Sequence, residues 1–150
     1  MNRWSRIVLG LAVIATAAWL AAGALGYRVA DDRSLAIHTL ISFVALLGIV
    51  LTQGWIAVFA AVSERLVCRR TEGARGELAR ARRVAVASAT LAIAAAAAQF
   101  TVANAHYPGR LGARTHLVAG VASAAILLLA LAAETRALSR HGRAIAALER

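Results

Sequence analysis

The sequence predicts an all-α protein, an antiparallel four-helix transmembrane bundle of up-down-up-down topology, and three observations predict it. Four long stretches, Ile7–Tyr27, Ser34–Val62, Val84–Ala105 and His116–Ala133, contain no Asp, Glu, Lys or Arg. Of the 150 residues, 61% are hydrophobic and only 16% charged, where a soluble domain carries roughly a quarter. The 17 basic residues, all arginine, gather mainly on alternate connections, the asymmetry that holds basic segments on the cytoplasmic side of a membrane. The length suits four short-looped spans in a single integral-membrane domain, 1–150, without a separate soluble domain of ordinary size.

The first span, 7–27, follows Arg3, Trp4 and Arg6, with the tryptophan placed for the membrane interface. A cleaved signal peptide is the competing reading, since Ala22 and Ala24 are spaced like a processing site. The apolar run exceeds the roughly 7–15 residues of such peptides, so a retained helix is expected. The connection 28–33, RVADDR, is short and nearly charge-balanced, which suits the outer face.

The second span, 34–62, has 29 residues, enough at about 1.5 Å each to cross a hydrocarbon core of about 30 Å with tilt to spare. On a helical wheel His38, Ser42, Ala45, Ile49, Thr52 and Gln53 share one face. That face must turn inward, because an unpaired polar group costs several kcal/mol in lipid. Residues 64–83 carry seven arginines against Glu64, Glu72 and Glu77, with Gly73 and Gly76 as breakers. They read as a cytoplasmic loop, which places both termini inside a multi-pass inner-membrane protein.

The third span, 84–105, is nearly polyalanine, and its small side chains let helices approach closely. Ser88, Ala92, Ala96, Gln99, Ala103 and His106 share a face. Gln53, Gln99 and Asn104 are expected to make interhelical hydrogen bonds, worth about 0.6 kcal/mol on average in membranes. Residues 106–115 hold the single proline and two glycines of a turn. The fourth span, 116–133, aligns His116, Gly120, Ser123 and Leu127, and Glu134 closes it at the cytoplasmic end. The tail 135–150 reads either as an amphipathic surface helix or as a frayed end. Tyr27, Arg28, Arg33 and His38 run in the same order as Tyr107, Arg110, Arg114 and His116, as a duplicated hairpin would.

A formal net charge of +10 suits nucleic acid, but the arginine positions assign that charge to membrane topology. The expected partners are therefore the lipid bilayer and either a membrane protein complex or copies of the same chain, with no nucleic acid. Cys68, among Arg65, Arg69 and Arg70, has no second cysteine to pair with and reads as a free thiol or a juxtamembrane acylation site. There is no cysteine pair, phosphate-cradling glycine loop or nucleophile elbow. No acid lies within the four uncharged runs to act as a general base, which disfavours a membrane hydrolase and leaves open whether the chain is an enzyme.

The chemistry concentrates in histidines. With both termini inside, His38, His106 and His116 reach the same outer surface, and only His141 lies elsewhere. The second and fourth helices of such a bundle are diagonal neighbours, so His38 and His116 face across the core as a bis-histidine haem needs. Gly120 and Ser123 leave space beside a flat macrocycle, and Arg28, Arg33, Arg110 and Arg114 are placed to pair with propionates.

This layout resembles the four-helix membrane b-type cytochromes, in which histidines on two helices hold haem. The resemblance covers the whole chain as architecture and rests on His38 and His116 as motif. It implies a small haem b redox or accessory subunit. Those families often carry a second, deeper histidine pair; here Gln53 stands without a counterpart, so a single haem at most is implied. Two other readings stay open. His38, His106 and His116 together could form a three-histidine zinc or copper site. Alternatively the histidines only sit in the interfacial zone of a non-catalytic bundle that assembles with a larger membrane complex.

Overall fold

The computed structural model describes residues 3–26, 29, 31–69, 75–106 and 112–148, without the side chains of residues 106, 113, 147 and 148. Four helices follow one another, α1 (Arg3–Gly26), α2 (Asp32–Cys68), α3 (Arg75–His106) and α4 (Ala113–Leu148). Each is long and apolar enough to cross a membrane. The architecture is thus the all-α four-helix bundle expected of the sequence. Helices adjacent in sequence pack together, α1 closes the ring against α4, and α2 and α4 also meet across the diagonal.

The outward faces are apolar. Ile14, Leu40, Leu51, Trp55, Val118 and Leu129 are all more than 60% exposed, a surface that water would penalise and acyl chains accept. The inward faces are small and polar. Of the α2 stripe, His38, Ser42, Ala45, Ile49 and Gln53 are buried and Thr52 half-buried. On α3, Ser88, Ala92, Ala96 and Gln99 are buried, and on α4, Ser123 and Leu127. Lipid offers no hydrophobic drive between helices, so alanine-lined contacts supply close van der Waals approach instead.

The core has two parts. Near the α1–α2 and α3–α4 connections, Trp19, Ala45, Ile49, Ala96 and Leu127 pack together. Toward the arginine-rich end, Val8, Ala12, Ile56, Ala60, Ala85 and Leu138 form a second cluster. The indole of Trp19 donates from Nε1 to Ser123 Oγ at 3.3 Å, satisfying both inside the first cluster.

Three segments differ from the sequence reading. Residues 135–148 form neither a separate surface helix nor a frayed end but continue α4, because Glu134, Ala137, Leu138 and His141 extend its inward face at helical spacing and are all buried. Most of 64–83 is likewise helical: α2 runs on to Cys68, α3 starts at Arg75, and Arg82 pairs with Glu64 between their extended ends. Asn104 is exposed and donates to Phe100 O of its own helix rather than across the bundle.

Asp31 starts α2. In extended backbone at φ −147° and ψ 172°, its carboxylate accepts from Ser34 N at 2.7 Å while Ser34 Oγ accepts from Asp31 N at 3.1 Å. This capping box satisfies two of the amides a helix start leaves without partners. The Ser34 backbone N–H, and then its hydroxyl, hold the Asp31 carboxyl below its ordinary range.

Candidate ligand site at the connection end

The small residues that let the helices approach leave a gap where they are smallest. Ala22, Gly23 and Ala24 on α1, Ala103 on α3, and Gly120 and Ala124 on α4 line a half-open cavity of about 240 Å³. His38, Ser42, Gln99 and His116 line the same space, with Trp19 and Phe100 as its aromatic walls. His38 and His116, singled out in the sequence, thus line one cavity.

His38 is only 6% exposed. A Cβ added to Gly26 would stand 2.9 Å from His38 Cε1 and 3.0 Å from Nε2, so the end of α1 lies against the ring edge and any larger residue there would displace it. Gly120 plays a looser version of this part for Gln99, whose Nε2 would lie 3.4 Å from an added Cβ. Gln99 Oε1 is buried without a hydrogen-bond partner among the described residues, an acceptor left for whatever enters the cavity.

The helix register explains why two imidazoles share this space. Along the α2–α4 diagonal, Ser63 meets His141 at an offset of 78 residues and Gln53 meets Glu134 at 81. His116 follows His38 by the same 78 residues. Two helices running in the same direction with one rise per residue keep their offset, so His38 and His116 stand level across the diagonal.

The other sequence candidates are placed less centrally. Arg33 and Arg114 are exposed and are not among the described residues that line the cavity. Arg28 and Arg110 lie outside the described residues, as does the side chain of His106. Among the described residues no group of three or more His, Cys, Asp or Glu converges as a metal site.

The burial of two polar residues escaped the sequence reading. Glu134 and His141 are both 0% exposed in the arginine-rich half. The acid missing from the four uncharged runs is therefore present in the bundle core, one residue beyond the fourth run. The signal was there: the α4 face through Ser123 and Leu127, extended at steps of seven, falls on Glu134 and His141. No family model, no curated protein and no solved structure matches the chain.

Proposed function

We propose that the chain is a small integral-membrane haem-binding redox or accessory subunit, with His38 and His116 as the axial pair for one haem b. One observation carries this: two imidazoles at matched register on parallel helices line the same glycine- and alanine-walled cavity. The residues fit the group in donor chemistry, and the cavity is open on one side. The cavity, about 240 Å³, is below the roughly 300–1,000 Å³ of most ligand sites, so a haem would extend through its open side. Bound there, a haem supplies one-electron transfer.

The protein's own contribution is orientation. Gly26 sets the His38 ring, Gln99 offers a buried amide, and Trp19 and Phe100 close the space. Arg33 and Arg114, with Arg28 and Arg110 beside them in sequence, bring positive charge for propionates to this end. By the positive-inside bias the arginine-rich end faces the cytoplasm, which puts both termini there and the haem toward the outer face of the inner membrane.

The test is the visible spectrum of protein expressed with added haem. A low-spin spectrum is expected, and either His38→Ala or His116→Ala should abolish it or convert it to a five-coordinate form, while His106→Ala leaves it intact. Gly26→Val should disturb it by moving His38. Loss of bound zinc or copper on His106→Ala would favour the three-histidine site instead. Absence of Soret absorption and of metal would leave a non-catalytic bundle that acts by assembly.

A further inference from the structure

The arginine-rich half holds a carboxyl with no ionic partner among the described residues. Gln53 Nε2 donates to Glu134 Oε2 at 3.4 Å, and both residues are within 1% of full burial. Ser88 of α3 lies within hydrogen-bond reach of the same carboxyl. Its single hydroxyl hydrogen is occupied by carbonyls of its own helix, Val84 O at 2.8 Å and Ala85 O at 3.1 Å.

Glu134 Oε1 and Gln53 Oε1 have no hydrogen-bond partner among the described residues. A bare carboxylate so placed would carry a large desolvation cost, whereas a carboxylic acid brings a donor to a site where Gln53 Oε1 is an acceptor without a partner among the described residues.

Two turns further along α4, His141 shows a second such group. Ser63 Oγ donates to Ala60 O at 3.2 Å and lies 2.9 Å from His141 Nδ1. In the tautomer that places the proton on Nδ1 as donor to Ser63, whose hydrogen then goes to Ala60 O, Nε2 is left as a bare lone pair. That Nε2 is buried with no partner among the described residues. Seven residues of helix place it about 10 Å from Glu134 along the axis, on the side of the Glu64–Arg82 pair.

We infer that Glu134 is a proton-exchanging carboxyl that communicates with the arginine-rich side of the membrane alone, with His141 as its relay. The exchange moves one proton from the carboxyl O–H through intervening water to His141 Nε2. The imidazole releases its Nδ1 proton toward Ser63 and the water beside Glu64, and the reverse sequence refills the acid. Two features make it one-sided. Glu134 lies 18 residues beyond His116, about 27 Å in a core of about 30 Å, so it stands near the arginine-rich boundary. Toward the other end Ile49 and Leu127, at 0% and 1% exposure, interpose an apolar layer.

Among the described residues of the arginine-rich half, no charged group pairs with the carboxyl. The groups of α2 there are Gln53, Glu64 and exposed Arg65; those of α3 are Ser88, exposed Arg83, and Arg82 paired with Glu64. On α4 they are His141 and exposed Arg136 and Arg140, and on α1 exposed Arg3 and Arg6. The 3.4 Å contact of Gln53 and Glu134 leaves no room between those atoms for a coordinated metal ion, and a proton needs none. The inference does not depend on the haem reading, and its test needs no haem.

Dicyclohexylcarbodiimide, which dissolves in membranes, should label Glu134 in the detergent-purified full chain. The acid's proton passes to a carbodiimide nitrogen as the carboxyl oxygen bonds the central carbon, and rearrangement leaves an N-acylurea located by peptide mass spectrometry. Labelling should fall about tenfold per pH unit above its midpoint, and folded Glu134→Gln, checked by circular dichroism, should take no label. After a pH jump, decay of the carboxylic C=O infrared band lost in Glu134→Gln should slow by about tenfold or more in both His141→Gln and Ser63→Ala, with its end point kept. Labelling independent of pH, or no labelling of the folded protein, would refute the exchange. Unchanged decay in both relay variants would refute the route.

Discussion

The two ends of the α2–α4 diagonal share a register and differ in what fills it. At the connection end His38 and His116 line a cavity, because the flanking positions are Gly23, Ala24, Gly120 and Ala124. At the arginine-rich end Gln53 meets Glu134 and Ser63 meets His141 directly, and Ile56, Ala60 and Leu138 pack around them. Polar residues in a membrane bundle thus take two forms. Where neighbours are too small to fill the space, a cavity remains beside the polar groups; where neighbours are larger, polar side chains meet one another directly. The apolar layer of Ile49 and Leu127 keeps the two regions apart.

The comparison breaks most severely if that layer is opened. Leu127→Ala leaves a cavity at a fully packed point and should cost about 2–5 kcal/mol, read as a lowered midpoint in denaturant titration of the detergent-solubilised protein. It should also let water pass between the ends, so that the Glu134 infrared band responds to pH from both membrane faces in oriented vesicles.

A smaller effect separates direct pairing from cavity lining. Gln53→Leu removes the amide that donates to Glu134 Oε2 and leaves that oxygen unsatisfied in the core, a loss of about 1–3 kcal/mol. The same exchange at Gln99, whose amide lines the cavity instead of meeting a carboxylate, should change the midpoint less and ligand binding more. Equal losses at both positions would erase the distinction between the two ends.

The smallest expected effect lies at the cap of α2. Asp31 is held below its ordinary value of 3.8 by Ser34, so its contribution to stability is complete above that value and is lost as pH falls through the lower folded-state value. Asp31→Asn keeps a capping acceptor and should flatten this acid step in thermal unfolding while leaving the neutral-pH midpoint nearly unchanged. The cavity end, which α2 begins, should feel the step before the arginine-rich end does.

Much of this molecule was determined by its sequence alone, since a membrane leaves few choices. Four uncharged runs of spanning length must be helices, their polar stripes must turn inward, and His38, Ser42, Gln53, Ser88 and Gln99 are buried for that reason. The level placement of His38 and His116 also followed from topology, because helices two apart in an up-down bundle run in the same direction.

What only tertiary structure decided is where the bundle ends. Charge marks the edge of a lipid-spanning run but not the edge of a packed helix, so Glu134 and the arginine-bearing segment after it read as boundary and tail. In the fold, α2 and α3 extend past the same boundary and give α4 something to pack against, through Ala60, Ala81 and Ala85 beside Ala137 and Leu138 and through Ser63 against His141. A buried carboxyl depends on what neighbouring helices bring to it. Gln53 and Ser88 lie 81 and 46 residues away from Glu134 in the chain, and only the register of three helices brings them to one point.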